Sequence, residues 1–253
     1  MELKEILNFT TEIGYLMICY GADVSRVERE VSQLCEAYEI REVDVFAIPS
    51  SLVITVSDGI NYYTKSRRIL SKTNDLDKVS KITQLCQWMK EERPNQYYIF
   101  QTLEEIKRQS TYQPWLVFLA YIMISLTSAV FYGAGWMDGF YAGMIGAVVY
   151  PVQRIVKSFQ SHSVFFSNLL CSSVAAGLVA AAMKYDLISN PSPVMIGIMI
   201  TMIPGLAITN GMRNFINEDF IAGIIQMLEA LSAVLGIVGG IFFLIFITEM
   251  PLI

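Results

Sequence analysis

Of the 41 Asp, Glu, Lys and Arg residues in this chain, 31 lie in residues 1–110, leaving ten for the 143 residues that follow. Soluble domains carry about 25% charged residues, so the second stretch cannot be an ordinary water-facing core and shell. The partition predicts two solvents and two domains: residues 1–110 in water and residues 111–253 in a bilayer. The expected fold class is a membrane α-helical bundle of about five transmembrane helices preceded by a small cytoplasmic α+β domain.

Within the polar part, Leu3, Ile6, Leu7, Ile13, Leu16, Met17 and Tyr20 recur at helical spacing. A second helix follows, with Ser25 and Glu28 fitting a capping box and Val27, Val31, Leu34 and Tyr38 on one face. "VDVFAIP" and "LVITVS" read as strands, and Asp58-Gly59 marks a hairpin turn before a third. A helix over about 75–90 places Leu76, Val79, Ile82, Cys86 and Met89 on one side. Pro94-Asn95 ends it, and a further helix leads toward the membrane. Ser50, Ser51, Thr55 and Asp58 have no histidine in this domain to act as a base, so strand-end and turn chemistry explains them. Asp23, Arg26, Glu28 and Arg29 read as a solvated helix start.

Five apolar stretches are expected to span, at about 115–133, 137–153, 163–183, 193–210 and 220–248. The second is short, with only 15 uncharged residues between Asp138 and Arg154. Lys107, Arg108, Arg154, Lys157 and Arg213 flank one side of these spans and Lys184 the other. This predicts a multi-pass protein of the inner (plasma) membrane, with a cytoplasmic N-terminal domain and an extracytoplasmic C-terminus. Gly139 and Gly143, and Gly236 and Gly240, have the spacing of close helix contacts and offer faces that could receive another subunit.

Two features stand out in the apolar part. "IPGLAITNGMRN" puts Pro204 and Gly205 inside the fourth span, followed by Thr209, Asn210 and Arg213. Pro204 lacks a backbone donor and Gly205 lets the chain turn, so a half-helix beginning there would aim free N–H groups into the membrane. Discontinuous helices of this kind hold anionic groups in transporters; a proline kink filled by its neighbours is the plain alternative. Glu229, ten residues beyond Asp219, falls about 15 Å along the fifth helix. It shares a face with Gln226, Ala233, Gly236 and Gly240, and is therefore expected to point into the bundle. A protonated carboxyl bonded to neighbouring backbone is the alternative to a functional group.

Other classes are set aside by what the chain lacks. Cys19, Cys35, Cys86 and Cys171 form no CxxC pair and suit reduced thiols rather than a disulfide framework. A single histidine, His162, argues against a His-based metal site, and no metal or cofactor is expected. A net charge of −5 argues against nucleic acid. The N-terminus "MELKEILNFT" has no apolar leader, so no cleaved signal is expected. No Walker motif and no catalytic constellation is present, which disfavours ATP coupling and an enzyme.

"PGLAITNGMRNFINEDFIAGIIQMLEA" resembles the hallmark segment of the threonine/serine exporter family. "GADVSRVE", "VFAIPSSLVIT" and "DLDKV" resemble that family's N-terminal motifs in the same order, which singles out Asp23, Arg26, Glu28, Pro49 and Ser50. The resemblance implies a cytoplasmic domain fused to five helices, and the first component of a split exporter completed by a small membrane protein. A homo-oligomer is the other way to complete the bundle. The function implied is proton-driven efflux of threonine and serine, with efflux of a dicarboxylate such as succinate, or a membrane-anchored sensor or scaffold, as alternatives. Asn210 and Arg213 would then recognise a carboxylate, Glu229 carry the proton or pair with the substrate ammonium, and Asp219 serve the entrance. Asn214 stands where many relatives have Asp, Glu218 where Gly is usual, and Gln226 where a basic residue is frequent.

Overall fold

The computed structural model describes residues 2–40, 42–70, 72–109, 112–159 and 163–248. The chain forms two compact units, Met1–Thr111 with Asp219–Ala222, and Tyr112–Glu218 with Gly223–Ile253. His162 lies outside the described residues.

The first unit packs four helices with a three-stranded antiparallel sheet. The helices are α1 (Leu3–Cys19), α2 (Val24–Ala37), α3 (Leu76–Glu92) and α4 (Gln96–Arg108). The strands are β1 (Glu42–Ile48), β2 (Ser51–Ser57) and β3 (Tyr62–Arg68), in that spatial order. The core joins Phe9, Ile13 and Met17 of α1 to Leu52, Ile54 and Val56 of β2. Alternation along β2 sends those three inward and Val53 and Thr55 outward, as a one-sided antiparallel sheet requires. Asp58 closes the second hairpin by accepting the Ile60 and Asn61 amides at 2.9 and 2.7 Å. Asp75 and Asn95 cap α3 and α4 through the Lys78 and Tyr97 amides.

Two local expectations fail. Leu76 is exposed because it occupies the first turn of α3, ahead of the buried seam of Val79, Ile82, Cys86 and Met89. Ser25 and Glu28 form no capping box, because α2 begins two residues earlier, with Asp23 in the N-cap position. Ser25 donates instead to Asp23 at 2.7 Å, and Glu28 bonds across to β1.

The second unit is helical: α5 (Pro114–Phe131), α6 (Trp136–Phe159), α7 (Val164–Lys184), α8 (Pro191–Met199), a 3-10 turn (Ile200–Met202), α9 (Gly205–Ile216) and α10 (Phe220–Thr248). Three of these, α5, α7 and α10, are long and apolar enough to cross a membrane, and α8 with α9 makes a fourth span if the bent pair is counted as one. α6 runs farther than expected, to Phe159 rather than 153, and continues through Pro151. Its 24 residues reach about 36 Å, longer than a ~30 Å hydrocarbon layer, with Arg154 about 27 Å along from Trp136, near the far edge of such a layer.

The glycine faces are used within the chain. A Cβ on Gly139 would come 2.5 Å from Val130, and one on Gly143 3.3 Å from Ile122, both on α5. A Cβ on Gly236 would stand 2.5 Å from Phe165 O, and one on Gly240 would overlap Ser172 and Leu169, all on α7. These contacts occupy the faces that the sequence offered to another subunit.

Candidate functional site

The fourth apolar stretch is not one helix. α8 tightens into the 3-10 turn, Ile203 is extended, and Pro204 adopts φ −81° and ψ 63° before α9 begins. The two halves meet at 62°. Proline explains the stop: with no N–H it cannot continue the ladder. The chain turns at Ile203 and Pro204 rather than at Gly205, which has no left-handed backbone and whose missing side chain would meet nothing within 4 Å.

The halves are held differently. Six of the nine residues of α8 are buried, against only Gly211 and Asn214 of the twelve in α9. The start of α8 is held by Asp138, a buried residue in the first turn of α6. Its two carboxylate oxygens accept the Ser189 and Asn190 amides, each at 3.0 Å. Pro191 and Pro193 supply no donors there, so one side chain satisfies the donors in front of the helix. Nothing in the spacing of the sequence links Asp138 to Ser189.

The polar groups after the break lie largely on the surface of the unit. Thr209 donates to Gly205 O at 3.0 Å, and Arg213 to Asn210 Oδ1 at 3.3 Å. Gly205, Thr209 and Arg213 are spaced i, i+4, i+8 and all are exposed. Glu229 is exposed too, which corrects the expectation that it points into the bundle. α10 turns Ala233, Gly236 and Gly240 toward α7, and Gly236 already meets Phe165 in the first turn of that helix, so Glu229, on the same face about two turns earlier, lies before α7 begins and is left uncovered. Asp219 caps the start of α10 through the Ala222 amide at 3.2 Å.

Two residues singled out separately by the sequence turn out to be partners. Asn214 Nδ2 donates to Gln226 Oε1 at 3.2 Å between α9 and α10, with Asn214 fully buried. Gly211 and Gly223 make the close approach that brings the two amides together.

In the first unit the motif residues are tie points. Arg26 of α2 donates to Thr83 of α3 at 2.9 Å, and Glu28 accepts the Ala47 amide of β1 at 2.9 Å. β1 is an edge strand, so this carboxylate satisfies an N–H that no neighbouring strand can reach. Pro49 is buried in the β1–β2 turn, and Ser50 O accepts the Ile69 amide at 2.9 Å. Desolvation pushes the Glu28 carboxyl above its ordinary range against the lowering effect of the Ala47 amide, and the carboxylates of Asp219 and Asp23 add to the rise.

Residues 8–248 match the family described as "Putative threonine/serine exporter". The chain belongs to that family. Membership and the apolar helices together place this threonine/serine exporter family protein in a membrane. A curated relative is the "Probable threonine/serine exporter" of Mycobacterium tuberculosis (strain ATCC 25618 / H37Rv), 19% identical over 247 residues. The alignment covers 95% of this family member and 46% of that relative, so the chain spans about half the length of the curated relative it matches. No solved structure matches.

Proposed function

We propose that this chain is one subunit of a secondary exporter of threonine and serine, driven by the proton gradient and completed by a second membrane protein. The observation that carries the reading is the broken span, whose polar face of Gly205, Thr209 and Arg213 is exposed on a helix built for a bilayer. Polar groups facing lipid are costly. That face therefore suits a substrate path shared with another half. In this reading α6 is the fifth span, the N-terminal domain is cytoplasmic and the C-terminus extracytoplasmic, consistent with Lys107, Arg108, Arg154 and Arg213 on one side. Arg213, with Asn210, grips a carboxylate through its planar fork. Glu229 takes up and releases the coupling proton, and Asp219 lies at the entrance.

Uptake of labelled threonine, serine and succinate into inverted vesicles, with and without the partner protein, tests this. Threonine and serine transport only with the partner is expected. Succinate transport alone would replace the substrate, and full transport without the partner would remove the split arrangement. Arg213→Lys keeps the charge and loses the fork, so at matched membrane levels it should export at least about tenfold more slowly. Wild-type export by that variant would assign Arg213 to topology rather than recognition.

A further inference from the structure

The two buried residues of α9, Gly211 and Asn214, both face the start of α10. A Cβ on Gly211 would meet Met227 at 3.3 Å and Gly223 O at 3.4 Å, and one on Gly223 would meet the Phe215 ring at 3.3 Å. The Asn214–Gln226 bond closes the same contact. The apolar core of this unit is assembled elsewhere, from α5, α6, α7 and α8 with their connections and Met202 of the 3-10 turn. Among the described residues it takes nothing from α9, and nothing from α10 before Ile237. α10 is fixed to α7 through Ala233, whose carbonyl accepts Asn168 Nδ2 at 3.1 Å, and through Gly236 and Gly240. Gly223 to Ala233, about 15 Å of α10, therefore runs beside α9 outside the core.

This two-helix leaf has a weak point at each of its inner ends. On the α9 side the helical ladder is interrupted at Ile203 and Pro204. On the α10 side, Asn168 donates to the Ala233 carbonyl, which the helix also offers to the Ile237 amide. Helices bend where a side chain intrudes on the ladder in this way. The two points lie at one level. Gly211 stands beside the turn of α10 from Gly223 to Met227. Counted along the antiparallel pair from there, Pro204 is seven residues back, about 10 Å, and Ala233 is about 12 Å from the middle of that turn. They face each other across the leaf to within about 2 Å of rise.

We propose that α9 and residues 223–233 of α10 swing as one body against α5–α8, about an axis through Pro204 and Ala233. The swing carries Asn210, Arg213 and Glu229 together and leaves the start of α8 under the Asp138 clamp. The candidate site thus keeps its internal spacing while its opening toward α8 changes. The motion holds whatever the chain exports, so its test needs no substrate.

Distances between nitroxide pairs, measured by pulsed electron resonance on the full chain in lipid nanodiscs, read the motion directly. The native cysteines are replaced and the labels sit at exposed positions. Leu119 with Ile196 spans α5 and α8, Ile208 with Ile224 lies within the leaf, and Ile196 with Met212 crosses the axis. Expected are narrow distributions for the first two pairs and one at least about twice as broad for the third. A crossing pair as narrow as the α5–α8 pair, or a leaf pair as broad as the crossing pair, would overturn the proposal. If the cysteine-free chain does not accumulate, hydrogen exchange on the unmodified chain gives a second reading. The amides of Ser232–Ile237 should then exchange at least about tenfold faster than those of Gly239–Leu244. Equal protection of the two segments would overturn the axis at Ala233.

Discussion

At the scale of single residues, the motif side chains of the first unit act through bonds rather than chemistry. Glu28 shows this most directly. Its carboxyl is raised by desolvation, so the folded state binds its proton more tightly than the unfolded state does. Stability from this group is full below the unfolded glutamate value and is lost as pH rises through the higher folded value. Glu28→Gln stays neutral and can still accept the Ala47 amide. Thermal unfolding of the whole chain in detergent, from about pH 4 to 7, should therefore show the Gln variant gaining on wild type as pH rises. Glu28→Ala leaves the Ala47 N–H without its partner and should lose about 1–3 kcal/mol. Buried thiols respond to the same physics: Cys35 and Cys86 are both pushed up to about 12 by desolvation. Neither should react with a maleimide at neutral pH until the domain is unfolded, and labelling at the rate of a free thiol would contradict that burial. Gly205 gives the opposite kind of test. A methyl group there meets nothing, so Gly205→Ala should fold normally, and any loss of export would report what approaches the break from outside the chain.

At the scale of elements, hydrophobic period and turn residues made most of the helices and strands legible. Asp58-Gly59, Pro94-Asn95 and Pro204 each mark a boundary that the structure keeps. Legibility ended where a contact joins residues distant in sequence. Asp138 on Ser189 and Asn190 leaves no local pattern. The inward direction expected of Glu229 failed although the face was read correctly, because Gly236 already meets the first turn of α7 and that helix does not extend back along α10 to cover Glu229. Asn214 and Gln226 can be tested as the pair they form. Asn214→Asp alone buries a charge beside an amide and should cost about 3–5 kcal/mol, as should Gln226→Lys alone. The double variant restores a matched pair, so recovery of folded protein above the sum of the single effects is expected in a double-mutant cycle. Additive losses would mean the two side chains do not meet.

At the scale of the whole molecule, composition alone separated the chain into a polar and an apolar part, because a bilayer excludes charge more strongly than any local preference selects it. What composition could not convey is that the fourth stretch is two short helices, since a break changes direction without changing hydropathy. That break bears on how the protein is made. α8 has nine residues and α9 twelve, each well short of the roughly 20 that a spanning helix needs. Neither half gives the insertion machinery a complete hydrophobic segment, and the backbone groups freed at Ile203 and Pro204 oppose entry into lipid on their own. The segment should therefore wait at the translocon until its neighbours can shelter it. Nascent chains halted before α10 and carrying a glycosylation tag after Ile216 would reveal whether α8–α9 has settled at that stage. Incomplete integration there, and full integration once α10 has emerged, is the order of assembly that a broken helix imposes.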